Sequence, residues 1–325
     1  MKNIRLSVEK ELQHQGICDA SGAIALDDQH FVVGNDEDNI LRVYDSTTSG
    51  KPVSWGSHSD AGIDINSYFV NVINNKEADI EGAAQLDGII YWITSHGRNS
   101  EGKLRPKRHQ FFGNLISLDE EGQSLKQVGV SYTRLIEDML QDDRLKHYDL
   151  EAAEKLPPKA KGGLNIEGLS ATSHGELLIG FRNPISQGKA LLLPLKNPQD
   201  LLEKENARAF FGSPIELDLK GLGIRSIDYW KDRSLYIIIA GAYDSGDQFS
   251  LYQWSELDED LQEIKIPSMP SDFRPESVLF YPNQPNRFQI LSDDGSIMRS
   301  GGFSCKDLEK DHPQKYFRSL WVREV

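Results

Sequence analysis

The chain has 325 residues, 38% of them hydrophobic, and a formal net charge of −14. A chain of this length fits two ordinary domains or one all-β repeat domain. The negative charge argues against general binding to nucleic acid or to an anionic membrane surface, because phosphate contacts need clustered Lys and Arg. No stretch approaches the roughly 20 apolar residues that span a bilayer, and the N-terminus lacks the features of a secretory signal, so we expect a cytoplasmic protein.

Residues 2–13 alternate weakly between apolar and polar side chains, a pattern that predicts a β-strand. A five-residue pattern, the pentad, then recurs: a usually polar residue, an apolar or small one, a usually charged one, Gly or Ser, and an apolar one. Its five copies begin at Asp19, Asp79, Asn165, Gly223 and Arg274. Each copy leads into a second apolar stretch, so the sequence predicts a repeat architecture.

Each repeat divides into short strands separated by turn residues, which is typical of the four-stranded blade of a β-propeller. In the first repeat, the fourth strand is expected at residues 52–57. The fifth repeat is one strand short, and the N-terminal strand would complete it, which also removes exposed sheet edges. We therefore predict an all-β fold, a single closed β-propeller over residues 1–325, with five blades of four antiparallel strands rather than six.

One segment has a helical pattern. Apolar residues such as Leu135 and Met139 share one face of residues 133–156, with acidic residues opposite, and a Pro-Pro pair ends the segment. We interpret residues 131–160 as a helical insertion between the second and third blades.

Cys18 and Cys305 are the two cysteines of the chain and lie near its opposite ends. A closed ring would bring them near each other. Two isolated thiols nevertheless fit a reducing cytosol better than a disulfide framework, and this supports the cytoplasmic expectation.

The first strand of each propeller blade lines the central channel, so a repeated position there forms a ring of side chains. The third pentad position supplies Ser21, Glu81, Glu167, Arg225 and Glu276. Three Glu residues in one ring repel each other unless something neutralises them. Two alternatives stay open: a divalent cation, Ca²⁺ or Mg²⁺, bound by Asp79, Glu81, Glu167 and Glu276, or internal pairing with arginine. If the protein is an enzyme, the catalytic candidates are Glu81, Glu167 and His96.

A basic loop at residues 103–109 forms a positive island in an acidic protein. If this loop folds over the channel mouth, it suits a phosphate or carboxylate, because arginine binds such anions in bidentate fashion. The alternative is a solvated surface loop. The expected ligand site combines the loop, the ring and the ends of the second strands: Asp19, Asp36, Asp38, Asp79, Glu81, His96, Arg98, Arg105, Arg108, His109, Glu167, Arg182, Arg225 and Glu276.

Residues 79–84, 90–99 and 102–109 together resemble the signature of the DUF3616 family, and the pentads at Asp19, Asn165 and Gly223 fit the same pattern. The resemblance covers most of the chain. It implies a bacterial β-propeller and no agreed activity.

A more distant similarity links residues 79–83 and 165–169 to the esterase-like propellers related to phytases, which share an Asp-x-Glu-Gly-Leu/Ala motif. It implies metal-assisted hydrolysis of a phosphoester or ester. In that mechanism Glu81, Glu167 and Glu276 hold a cation that activates water, while Arg98 and Arg182 bind the phosphoryl oxygens.

Three functional hypotheses follow. The first is a binding module whose channel mouth holds a small anionic ligand or a partner segment. The second is the metal-dependent hydrolase, and the third is a scaffold that docks a partner protein through the helical insertion. The oligomeric state stays open.

Overall fold

The computed structural model describes residues 4–69, 77–120, 122–257 and 260–325. Its strands form five separate sheets of four strands each, and neighbouring strands in each sheet are antiparallel. The predicted five-bladed β-propeller is therefore confirmed. Among the described residues no helix is long and apolar enough to cross a membrane.

Strand β1 spans Leu6–Gln15 and precedes the first blade. The first two blades comprise β2 (Gly22–Ala25), β3 (His30–Gly34), β4 (Ile40–Asp45) and β5 (Ile63–Asp64), then β6 (Ile80–Leu86), β7 (Ile89–Thr94), β8 (Phe111–Asp119) and β9 (Gly122–Tyr132). The next two comprise β10 (Asn165–Ala171), β11 (Leu177–Asn183), β12 (Ala190–Leu195) and β13 (Ile215–Leu217), then β14 (Gly223–Trp230), β15 (Leu235–Gly241), β16 (Phe249–Ser255) and β17 (Asp260–Ile264).

The fifth blade combines both ends of the chain, as predicted. It comprises β18 (Pro275–Phe280), β19 (Arg287–Ser292) and β20 (Tyr316–Glu324), with β1 as its outermost strand. The pairing of β1 with β20 runs from Leu6 opposite Glu324 to Gln15 opposite Tyr316. This pairing covers the outward edge of β20, which would otherwise present unpaired backbone groups.

The hydrophobic core is divided among the spaces between neighbouring blades. The second strands are almost continuously apolar, and β7, β11 and β15 are buried along their whole length, as expected for strands covered on both faces. One buried cluster packs the first blade against the second, and another packs the fifth against the first. The innermost strands contact one another in the order β2, β6, β10, β14, β18 and back to β2, which is the order expected of a ring.

The fourth strand of the first blade is not where the sequence indicated. Residues 52–54 form no strand, and residues 55–58 form a turn in which Trp55 and His58 exchange backbone hydrogen bonds of 2.9 and 3.0 Å. Pro52 has no backbone N–H to donate to a strand ladder, which favours the turn. The short β5 pairs with β4 instead.

The helical segment after β9 is shorter and more broken than predicted. It contains helix α1 (Leu135–Gln141), a 3₁₀ turn at Asp143–Tyr148 and helix α2 (Leu150–Ala153). Asp142 ends α1 and accepts a hydrogen bond from the Arg144 N–H, and Asp149 adopts a left-handed φ of 52°. Both features interrupt a continuous helix. The apolar face packs into the core between the second and third blades, which also receives helix α3 (Pro198–Glu203).

Cys18 and Cys305 form a disulfide, and both are fully buried. The prediction of free thiols is therefore wrong. Cys18 lies just before β2, and Cys305 lies in a 3₁₀ turn between β19 and β20. The ring brings these segments together, and the Asp294 N–H donates a 2.8 Å hydrogen bond to the Cys18 carbonyl. The expected cytoplasmic location loses the support that free thiols lent to it.

Candidate functional site

The pentads place charged side chains at one end of the channel by means of β-bulges. The register between β6 and β7 shifts between Ile80 and Gly82, which leaves Glu81 as an extra residue. Equivalent shifts occur at Glu167 in β10, Arg225 in β14 and Glu276 in β18. A bulge bends its strand and redirects a side chain. The repeated third position is thus a repeated bulge.

The fourth pentad position is small because neighbouring inner strands nearly touch. A Cβ atom added to Gly82 would lie 3.0 Å from the Glu167 carbonyl oxygen of the next blade. At Gly22, an added Cβ would lie 3.1 Å from the backbone of Gly82. This close approach narrows the channel at the fourth pentad position.

Arginine compensates the carboxylates on the side of the third and fourth blades. Glu167 accepts 2.7 Å hydrogen bonds from Arg182 Nη1 and from the Asn165 amide. Arg225 stands between Glu167, whose Oε2 lies 3.5 Å from Arg225 Nε, and Glu276, with which it forms an ion pair. Burial and Glu167 raise the pKa of Glu276 to about 7, although Arg225 opposes the rise. The guanidinium of Arg225 also lies 5.3 Å from the centre of the Phe249 ring.

The second blade has its own ion pairs. Arg108 Nη1 lies 2.9 Å from Asp79 Oδ2, and Arg108 Nη2 donates a 2.8 Å hydrogen bond to Glu77. Burial raises the pKa of Asp79 to about 7, with Asp36 adding to the rise and Arg108 opposing it. Asp79 has a left-handed φ of 64°, an unusual conformation for a residue that is not glycine.

Glu81 differs from the other ring carboxylates because it has no basic partner in the described part of the chain. It is partly buried. Its enclosure and the nearby Glu167 and Asp79 raise the pKa of Glu81 well above its ordinary value.

These side chains surround a cavity of about 360 Å³, to which all five blades contribute. It adjoins a second cavity of about 500 Å³ that extends toward the fourth and fifth blades. The remaining walls of the first cavity come from the residues that follow helix α2 and from the loop between β7 and β8. The residues lining the first cavity are Asp19, Ser21, Asp36, Asp79, Glu81, Asn99, Ser100, Arg108, Pro157, Pro158, Lys159, Asn165, Glu167, Arg182, Arg225, Glu276 and Asp293.

Most residues of the predicted ligand site lie together at this mouth: Asp19, Asp36, Asp79, Glu81, Arg108, Glu167, Arg182, Arg225 and Glu276. The rest of the predicted set lies outside the lining: Asp38, His96, Arg98, Arg105 and His109.

Several of the residues outside the lining have structural partners. Asp38 pairs with Arg42 at 2.5 Å, and Arg98 donates a 2.6 Å hydrogen bond to the carbonyl of Glu154 in the helical insertion. His96 is buried, and its Nδ1 lies 2.7 Å from the Thr94 carbonyl. Burial and His109 lower the pKa of His96 to about 3, so its ring is neutral.

The basic loop contributes one side chain, Arg108, to the mouth. Lys103 pairs with Glu101 at 2.7 Å at the surface, and Lys107 lies 5.6 Å from the centre of the Phe69 ring. A positive lid over the mouth is therefore not formed by this loop.

The carboxylates do not form the donor set that the resemblance to esterase-like propellers implies. Within the four described ranges, no group of three or more His, Cys, Asp or Glu side chains is arranged to hold a metal ion. Arg225 stands between Glu167 and Glu276, where a shared cation would have to bind. Asp79 likewise forms an ion pair with Arg108.

The sequence did not indicate Asn99, Ser100 or residues 157–159 as part of the mouth. The Pro-Pro pair predicted the end of a helix, and in the structure the same segment forms a wall of the cavity. Lys159 follows it and is exposed. No short-range pattern reveals this role, because the path of a non-repeating insertion depends on its tertiary packing.

Comparison with solved structures finds matches of low sequence identity. Glutaminyl cyclase from Myxococcus xanthus is 11% identical, with a TM-score of 0.47 and full coverage of both chains. A β-1,3-galactosidase solved with galactodeoxynojirimycin is 11% identical, covers 97% of this chain and 94% of its own, and has a TM-score of 0.47. A putative glucose dehydrogenase from Thermus thermophilus is also 11% identical, covers 96% of this chain and 99% of its own, and has a TM-score of 0.43.

No curated protein matches the sequence. A family model described as "Protein of unknown function (DUF3616)" matches residues 19–115 and 117–278, which include all five pentads. The matched regions contain every ring residue of the mouth, from Ser21 to Glu276. The chain is therefore a member of the DUF3616 family.

Proposed function

We propose that this protein is a binding module and that the mouth cavity is its ligand site. The supporting observation is the convergence of polar side chains from all five blades on one cavity of about 360 Å³. Concave sites with a few convergent polar groups are where small ligands bind. Most of these charges are held by partners within the protein, which fits a preformed site that binds with little rearrangement.

The charge of the mouth favours a neutral or cationic polar ligand over the anionic ligand expected from the sequence. The lining contains seven carboxyl side chains and four cationic ones. Arg108, Arg182 and Arg225 already pair with carboxylates. Among the described lining residues, only Lys159 has a positive charge without an ion pair. An anion would thus meet few free donors, and it would raise further the already raised pKa values of the carboxyl groups of the lining.

The proposal is tested by thermal unfolding of the protein in the presence of neutral and cationic polar metabolites. A compound that binds only the folded state raises the unfolding midpoint, by about 2.7 kcal/mol of stability at 100 times its Kd. Ser100→Trp is the blocking variant, because Ser100 is exposed and lines the cavity. We expect at least one compound to raise the midpoint of wild type but not of Ser100→Trp.

Ser173→Trp is the matched control, an exposed serine in the turn between β10 and β11 at the far end of the third blade. It should respond like wild type. The proposal is overturned if no compound stabilises wild type, or if every stabilising compound acts equally on Ser100→Trp.

A further inference from the structure

The two sides of the mouth differ in how their negative charge is compensated. On the side of the third and fourth blades, carboxylates meet Arg182 and Arg225 at close range. On the side of the first and fifth blades lie three carboxylates that we call the acidic corner: Asp19, Asp36 and Asp293. In the ranges that the structure describes, neither Asp19 nor Asp36 forms an ion pair with a basic side chain. Asp36 shares a side-chain hydrogen bond with Asp19, and the charge of Arg108 opposes the rise in the pKa of Asp36 that burial causes. Asp293 Oδ1 accepts a 2.8 Å hydrogen bond from the Gly295 N–H, and the ion-pair partner of Asp293 is Arg225, whose Nη2 lies 4.0 Å away.

Asp19 shows that the acidic corner lacks a donor. Its side chain is almost enclosed, with 6% exposure. Oδ2 accepts a 2.6 Å hydrogen bond from the Ser21 hydroxyl, whereas Oδ1 is buried without any hydrogen-bond partner among the described residues. A buried carboxylate oxygen without a donor is costly, so the site is incomplete as it stands.

All three residues of the acidic corner line both cavities, so the corner lies where the two cavities meet. Asp36 is exposed there, and Asp293 is partly exposed. Burial raises the pKa of Asp19 well above its ordinary value, and the charges of Asp36 and Asp293 add to the rise. A positively charged group at this accessible position would favour the ionised forms of these carboxyl groups, because an opposite charge lowers the pKa of a carboxyl group.

We propose that the acidic corner binds a primary ammonium group of the ligand. This inference rests on the proposed function, since it specifies which chemical group the mouth recognises. An ammonium offers three N–H donors and one positive charge, which suits the unpaired Oδ1 of Asp19 and the carboxylates of Asp36 and Asp293. A metal ion fits less well, because the described carboxylates do not converge on a common metal position.

The charge of Lys159 provides a further test of whether the ligand is an ammonium. It lines both cavities and makes no ion pair with any described residue. Its positive charge repels a ligand ammonium and attracts a ligand anion. Removing that charge with Lys159→Ala should therefore strengthen the binding of an ammonium ligand and weaken the binding of an anionic one.

The test uses isothermal titration of two matched small molecules at about pH 7, where an aliphatic amine is charged. trans-4-Aminocyclohexanol has the ammonium, and cyclohexane-1,4-diol has a hydroxyl in its place. The amine should bind wild type at least about tenfold more tightly than the diol. Asp36→Asn should weaken amine binding by about tenfold or more, the loss expected for one charge-assisted hydrogen bond.

The control variant is Asp232→Asn, which removes the same charge from an exposed position in the turn between β14 and β15, away from the mouth. It should bind the amine as wild type does. Asp293→Asn serves as a second variant of the acidic corner, so the result does not depend on one substitution.

A second pair of probes, triglycine amide and its N-acetyl derivative, distinguishes a peptide amino group from a small free amine as the source of the ammonium.

The ammonium assignment is overturned if the diol binds as well as the amine, if Asp36→Asn and Asp293→Asn bind the amine like wild type, or if none of the amine probes binds. Loss of binding in Ser100→Trp without any effect of Asp36→Asn would overturn this inference and still support the mouth as the ligand site. Equal binding to Ser100→Trp would instead count against the proposed function.

Discussion

Arg225 joins the third, fourth and fifth blades at the mouth. It is nearly buried, as are its partners Glu167 and Glu276. The two carboxylates raise the pKa of Arg225 against the opposing effect of burial, so the guanidinium stays charged. Removing one member of a buried ion network leaves an uncompensated charge, which costs far more than the loss of an exposed pair.

Arg225→Met should therefore lower the free energy of unfolding by about 3–5 kcal/mol, as measured by urea denaturation. Lys155→Met is the comparison, because Lys155 pairs with Glu151 at the surface with both side chains more than half exposed. Loss of that pair should cost at most about 1 kcal/mol. Equal effects of the two substitutions would show that Arg225 does not compensate the buried carboxylates.

The sequence reveals the pentad as a repeat, but it does not reveal the backbone structure that the pentad forms. The sequence shows that Glu81, Glu167, Arg225 and Glu276 occupy equivalent positions. It does not show that each is the extra residue of a β-bulge, because a bulge is defined by the register of the partner strand. The pairing of Glu167 with Arg182 likewise joins residues whose closeness depends on the register of β10 and β11.

At the level of elements, β1 and the disulfide both act on the junction between the chain ends. β1 completes the fifth blade, and Cys18 is linked to Cys305 across 287 residues of sequence. A cross-link that closes a long loop restricts the unfolded chain and so favours the folded state. Because Asp19 follows Cys18 directly, the disulfide also fixes the start of the acidic corner.

Replacing both cysteines, as Cys18→Ala with Cys305→Ala, should lower the free energy of unfolding by about 2–5 kcal/mol. The check is urea denaturation of wild type and the double variant, each with and without a reductant that acts on the unfolded chain. The reductant should lower the stability of wild type and leave the variant unchanged. A variant as stable as oxidised wild type would contradict this role.

Elements were predictable where a repeat or a long apolar pattern specified them. The place of β1 in the fifth blade followed from counting strands, since one blade lacked its fourth. The sequence predicts the fourth strand of the first blade at residues 52–57 because Trp55 is a residue type common in strands. The backbone of Trp55 instead pairs locally with His58. The sequence predicts a longer helix than α1 because the apolar pattern continues past Asp142. The backbone leaves the helical conformation at that residue.

For the whole molecule, five similar blades bring five copies of one pentad into a single ring, and the differences among the copies determine its chemistry. Arg225 replaces an acidic residue in the fourth blade and neutralises two neighbours. In the first blade Ser21 stands at the position that is acidic in three other blades, and the nearby carboxyl group is that of Asp19 in the acidic corner. Arginine thus compensates Glu167 and Glu276 from within the ring, and no metal ion is needed between them.

The most direct test of this claim is thermal unfolding of wild type and Glu81→Gln in the presence of Ca²⁺, Mg²⁺, Mn²⁺ or EDTA. A metal bound only by the folded state raises the midpoint by mass action. Glu167 and Glu276 pair with Arg182 and Arg225, and Asp79 pairs with Arg108. We therefore predict that within each protein the midpoint is the same with each metal and with EDTA. A metal-dependent rise in wild type that disappears in Glu81→Gln would contradict the account and identify the ring as a cation site.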